Sequence, residues 1–204
     1  MSEAYKALRT NIQFCGIDKK VIALTSCTPN EGKSNVTMQL AASLAESGKS
    51  VLMIDADLRN SVLLNRTKVE HKVVGLSHYL SKQAKLTDVI CATDIPKFHV
   101  IFAGNFPPNP AELLGSEAFA EMIKVVRDVY DYVLIDTPPL GVVIDSAIIA
   151  KVCDGTVMVI EEGSISYRFA QDVKDQLDKS GCPIMGVILN KCDYGKEGYG
   201  RYGK

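Results

Sequence analysis

Residues 21–34 read VIALTSCTPNEGKS. A β-rich apolar run at 21–26 feeds a short polar loop, which ends Gly32-Lys33-Ser34 where a helical pattern begins. Strand, loop and helix in that order gather backbone N–H groups and a helix N-terminus around one point, which suits a phosphate. In such a loop the lysine reaches the β- and γ-phosphates and the Ser hydroxyl takes a Mg2+ position. Those roles fall on Lys33 and Ser34, with Thr28, Asn30, Glu31, Gly32 and Asn35 as further cofactor-binding candidates. The strict spacing GxxxxGK[ST] fails at one position, because Cys27 stands where the first Gly would be. Asn30 is the best residue after Gly for a left-handed backbone, if the loop requires one there. A chance GKS at an ordinary strand–turn–helix is the rival reading.

Two segments further along weigh against chance. Apolar runs at 51–54 and 132–135 deliver Asp55-Ala56-Asp57 and Asp136-Thr137-Pro138-Pro139. In a parallel sheet both ends share a rim with the phosphate loop. A carboxylate ending a buried strand is costly without a partner, and Mg2+ or its water shell is a natural one. Capping of the next turn explains either aspartate alone, but not three segments converging on one rim. Further apolar runs at 98–103, 156–160 and 184–189 alternate with helical patterns at 34–47, 110–129, 141–152 and 165–180. An opening helix is expected at 3–13, and short helices within the irregular stretch 61–97, with GLSHYL at 75–80 the clearest. The fold expected is α/β, P-loop NTPase-like, with a mainly parallel central sheet and helices on both faces.

The bulk numbers set limits. A chain of 204 residues, 47% hydrophobic, buries one sizeable core. Twenty-three Lys and Arg against 24 Asp and Glu give no electrostatic reason to expect nucleic acid or direct membrane insertion. The six cysteines form no CxxC pair or Cys/His cluster, so zinc and a disulfide framework have no support. MSEAYKALRT lacks the apolar core of a signal peptide, and no run approaches the ~20 apolar residues of a membrane span. A cytoplasmic domain is expected, with any membrane link made through a partner. Residues 1–190 read as one domain, and 191–204 (KCDYGKEGYGRYGK) as a flexible tail with no apolar stripe to bury.

VIALTSCTPNEGKS, VLMIDADLR and YVLIDTPP resemble the Walker A, Walker A′ and Walker B motifs of the bacterial tyrosine kinases of capsular and exopolysaccharide biosynthesis. EAYKALRTNI (3–12) and FAGNFPPNPAELLGSEAF (102–119) are similar to two flanking segments of that family. The likeness runs nearly the whole chain, and best fits the stand-alone cytoplasmic type that a separate membrane protein activates. It implies ATP and Mg2+ as cofactors, with Lys33, Asp55, Asp57 and Asp136 as the catalytic set and Ser34, Asp55 and Asp136 at the metal. Asp57 would accept the proton of the attacking tyrosine. Arg59 would steady phosphate charge or a neighbouring subunit, a solvated surface Arg being the alternative. Tyr194, Tyr199 and Tyr202 resemble the family's tyrosine cluster and would be autophosphorylated. Glu3, Lys6 and Arg9 resemble its Glu-x-x-Arg-x-x-Arg oligomerisation motif, with a Lys that lacks the Arg fork, a solvated helix face being the alternative. The implied partners are a membrane-bound activator or polysaccharide chain-length regulator, further copies of the chain in a ring, and a phosphotyrosine phosphatase. The implied location is the inner face of the plasma membrane, to which a partner recruits the chain.

Departures and rivals are specific. Asn35 and Ser61 stand where the family usually has Thr and Pro, and neither removes a catalytic group. Asn190-Lys191-Cys192-Asp193 reads as the NKxD motif of a GTPase, but Asp136 continues Thr-Pro-Pro rather than x-x-Gly. Asn190 is therefore read as an adenine-side contact. A partitioning or cell-division ATPase switch would carry a second lysine early in the loop, and positions 27–31 have none.

Overall fold

The computed structural model describes residues 2–66 and 73–192. In chain order these form α1 (Glu3–Phe14), β1 (Val21–Ser26), α2 (Lys33–Glu46), β2 (Val51–Asp55), α3 (Leu63–Arg66), α4 (Leu76–Leu80), α5 (Leu86–Val89), β3 (Cys91–Ala92) and β4 (Phe98–Ile101). There follow α6 (Pro110–Leu114), α7 (Glu117–Val129), β5 (Tyr132–Asp136), α8 (Asp145–Ala150), β6 (Gly155–Glu161), α9 (Tyr167–Asp178) and β7 (Ile184–Asn190). The strands make one sheet in the order β3-β4-β2-β5-β1-β6-β7. All pair in parallel except β3, which runs antiparallel to β4.

The central strands are apolar without alternation because both of their faces are covered. Successive side chains point to opposite faces, so each strand feeds two cores. Ala23, Leu52, Ile54, Val133 and Ile135 pack with Phe119, Met122 and Ile123 of α7. Ile22, Leu24, Met53 and Leu134 pack with Val36, Leu40 and Leu44 of α2 and Ile12 of α1. A third cluster joins Cys27, Leu140 and Met158 to Val173 and Leu177 of α9. Register then fixes the site: Leu24 and Asp55 each align with Asp136, so β2 and β5 end together and β1 runs two residues further into the phosphate loop. The order reverses around β1, with β2 and β5 on one side and β6 on the other, and this is where α/β sheets hold ligands.

Some expectations shift. The helix expected over 110–129 is two, because Ser116 breaks it and caps α7, its hydroxyl accepting from the Phe119 N–H. The helix expected from 141 starts at Asp145, since Gly141 instead passes against the phosphate loop. A Cβ on Gly141 would lie 2.2 Å from the Cys27 carbonyl oxygen. The stretch 61–97 also holds β3, a strand of two residues, too short to show a strand period, with Cys91 packed against the α2-side core.

Candidate nucleotide site

The phosphate loop is shaped by two left-handed residues, Asn30 (φ 67°) and Gly32 (φ 88°), the second capping α2. The asparagine thus adopts the backbone its type allows. Cys27 replaces the expected Gly without intruding, because its side chain is fully buried in the α9-side cluster. That burial, and then the nearby Glu31 charge, pushes its thiol up to about 11, so it is an inert apolar group. Glu31 braces the loop from within. Its carboxylate, almost completely buried, accepts from the Thr28 N–H at 2.7 Å. The Thr28 N–H is therefore committed to Glu31 and does not face the cavity.

Lys33 opens α2 and its Nζ donates to Asp136 Oδ1 at 2.7 Å, with both side chains buried. Asp55, one strand away, is also buried and accepts from the Ser61 hydroxyl and, at 3.2 Å, from the Asp57 N–H. Burial first, and the Asp136 charge second, push its carboxyl up to about 7. Two buried carboxylates thus share one ammonium, and the pocket is short of positive charge. A divalent cation fits that deficit. Asp57 turns outward at the cavity edge, where its Oδ1 accepts from the Asn60 N–H at 2.9 Å and the Arg59 N–H at 3.2 Å.

A cavity of about 590 Å3 lies over this rim, lined among others by Gly32, Lys33, Ser34, Asn35, Asp57 and Asn190. Asn30 and Glu31 also line it, whereas Thr28, Asp55 and Asp136 do not. Arg59 lines it too, and it is not a free surface residue. Its Nε and Nη2 donate to the two oxygens of fully buried Asp145 at 2.7 and 2.9 Å. Asn190 Nδ2 donates to the Glu31 carbonyl at 2.8 Å, a loop contact that its reading as a base-side residue had not included.

Away from the cavity, Lys6 pairs with Glu3 at 2.6 Å on an exposed helix face. Arg9 turns onto α2 and donates to the Ser43 carbonyl at 2.9 Å. Tyr194, Tyr199 and Tyr202 lie outside the described residues, as does Asp193 of the NKxD reading. Sequence reasoning missed Asp145, Glu161 and the supporting part of Ser61. Only Asp145 left a signal, as a lone acid in the apolar run GVVIDSAII. Among the described residues no helix is long and apolar enough to cross a membrane.

Comparison with known proteins agrees with this geometry. The AAA domain family matches residues 19–176. Tyrosine-protein kinase CpsD of Streptococcus agalactiae is 45% identical over 201 residues, covering 98% of this chain and 88% of the relative. The solved kinase domain of Escherichia coli tyrosine kinase ETK superposes with a TM-score of 0.88 at 34% identity, over 99% of this chain and 80% of that one. The septum site-determining protein MinD of Pyrococcus horikoshii, solved with Mg-ADP, gives a TM-score of 0.70 at 26% identity, over 87% and 72%. The likeness to MinD is a likeness of the P-loop nucleotide-binding fold, and the likeness to the kinases is both closer and more complete. By sequence and fold, the chain belongs to the bacterial tyrosine-protein kinases.

Proposed function

We propose that the chain transfers the γ-phosphoryl group of ATP to tyrosine, and that Tyr194, Tyr199 and Tyr202 of another copy are acceptors. The observation that carries this is the cavity itself, with the phosphate loop and Lys33 along one side and the Asp57 carboxylate at the edge. Bound Mg-ATP supplies the transferable group and the divalent charge that offsets it. The residues suited to hold it are Ser34 directly, and Asp55 and Asp136 directly or through water.

Lys33 has to leave Asp136 to reach the β- and γ-phosphate oxygens, which frees the carboxylate for the metal side. Backbone N–H groups of residues 30–34 and the N-terminus of α2 orient the phosphates, with Asn35 beside them. Asp57 takes the phenolic proton as the tyrosine oxygen attacks. Arg59, fixed by Asp145, steadies negative charge at the mouth. Asn190, whose Nδ2 holds the Glu31 carbonyl, braces the phosphate loop; a base-side contact would be a second role.

The wider reading is that residues 1–190 form the kinase and 191–204 the phosphate-accepting tail, although its first residue, Lys191, is held against the phosphate loop rather than free. Each added phosphate brings about −1.5 to −2 charge, which favours release from an acidic site. The chain would act at the inner membrane face with a membrane-bound activator, assemble with copies of itself through Glu3, Lys6 and Arg9, be reset by a phosphotyrosine phosphatase, and regulate capsular or exopolysaccharide synthesis. Incubation with Mg-ATP, with and without the activator's cytoplasmic segment, tests the core of this. Phosphotyrosine should appear on wild type and be absent from Lys33→Met and from the Tyr194/Tyr199/Tyr202→Phe variant. Hydrolysis of ATP without phosphotyrosine under either condition would favour the MinD-like switch, and preference for GTP would favour the NKxD reading.

A further inference from the structure

Four non-glycine residues among those described have a left-handed backbone, and two of them are joined by a side chain. Lys191 (φ 57°), the first residue after β7, sends its Nζ 2.8 Å to the carbonyl of Asn30 (φ 67°) in the phosphate loop. The same ammonium lies 2.8 Å from Glu161 Oε2 at the end of β6. Its neighbour Asn190 holds the next carbonyl, that of Glu31, at 2.8 Å. A left-handed lysine is strained, and such strain persists where the surroundings over-determine it. Here the surroundings are the phosphate loop.

The peptide group is planar, with C=O and N–H on opposite sides. Drawing the Asn30 carbonyl toward Lys191 therefore turns the Glu31 N–H the other way. Drawing the Glu31 carbonyl toward Asn190 does the same for the Gly32 N–H. These two N–H groups lie in the stretch that a phosphate-binding nest requires. Gly32 also has to be glycine for the grip to form, since a Cβ there would stand 2.2 Å from Asn190 Nδ2.

We infer that Lys191 is a positioning residue for phosphate binding: with Asn190 it grips the two loop carbonyls from the end of β7 and presets the N–H groups that receive the nucleotide's phosphates. Glu161 anchors the lysine. The grip reads no base, so its loss weakens any ligand that uses the phosphate subsite equally. This rests on the nucleotide reading of the loop, but not on kinase activity.

The test is calorimetric binding of ADP and of inorganic pyrophosphate, each with Mg2+, to full-length wild type, Lys191→Met, Lys191→Gly, Lys191→Arg and Glu161→Gln. Loss of a charge-assisted, half-exposed hydrogen bond predicts roughly five- to tenfold weaker binding of both ligands to Lys191→Met. Lys191→Gly should weaken alike although it relieves the strained backbone, Lys191→Arg should recover most of the affinity, and Glu161→Gln should lose less than Lys191→Met. Amide exchange over residues 28–32 of the ligand-free chain should quicken in Lys191→Met. Unchanged affinity and exchange in Lys191→Met would overturn the inference, as would a loss for ADP but not pyrophosphate, which marks a base contact instead. Should Lys191→Met not fold, Glu161→Gln and Lys191→Gly carry the same comparison. A wild type that binds neither ligand would instead sink the nucleotide reading.

Discussion

Lys33, Asp55 and Asp136 form a buried group with two carboxylates and one ammonium, and its imbalance has measurable consequences. Removing the ammonium leaves both acids without a cation, and breaking such a pair costs about 3–5 kcal/mol. Lys33→Met should therefore lower the melting temperature of the nucleotide-free chain as well as abolish phosphotyrosine formation, with calorimetry and an anti-phosphotyrosine blot as the two readouts. Asp55 gives a pH signature. Burial, and then the Asp136 charge, push its folded carboxyl up to about 7, from an ordinary aspartate value near 3.8. The folded state thus keeps a proton that the unfolded chain releases between about pH 4 and 7, and stability falls as pH rises through that window. Above about 7 the penalty is complete. Asp55→Asn cannot ionise, so without nucleotide its melting temperature should exceed that of wild type by several degrees at pH 8, and the gap should close towards pH 4. A gap that is constant with pH would contradict this account of Asp55. Of these residues, Lys33, Ser34 and the three aspartates were legible from motif spacing. Asp145 under Arg59 and Lys191 on Asn30 were not, because those partners are 86 and 161 residues apart in the chain.

Elements position that group through register and close approach. The central strands were readable because burial on both faces leaves an apolar run, and five of the six expected runs match within a residue at each end. The run expected over 98–103 gives a shorter strand, Phe98–Ile101, though Phe102 and Ala103 remain buried. Helix ends were less legible, as Gly115-Ser116 and Gly141 show: one is a cap inside an apolar pattern, the other a contact with a distant loop. Gly141 offers a test at this scale. Gly141→Ala should force the Cys27 carbonyl to move and so distort the phosphate loop, at an overpacking cost of about 1–3 kcal/mol. Weaker Mg-ADP binding by calorimetry, beyond any loss of melting temperature, is the expected result. Leu40→Ala on α2 makes the contrast. It should cost about 2–5 kcal/mol of stability through a core cavity, with little effect on nucleotide affinity measured well below the melting temperature.

For the whole molecule, the described residues form one sheet whose phosphate-loop rim carries the cavity and whose last strand ends beside the phosphate loop. The described residues end at Cys192, so the segment proposed to carry the acceptor tyrosines begins two residues after β7, beside the phosphate loop. The proposed function has the tyrosines of one copy phosphorylated by another. The most direct test mixes two full-length variants with Mg-ATP and the activator segment: the Tyr194/Tyr199/Tyr202→Phe chain as enzyme, and Lys33→Met as acceptor. Mass spectrometry should find phosphate on Tyr194, Tyr199 or Tyr202 of the Lys33→Met chain only when both are present. No phosphotyrosine in the mixture, under conditions where wild type becomes phosphorylated, would contradict transfer between copies, and none in wild type either would contradict the kinase itself.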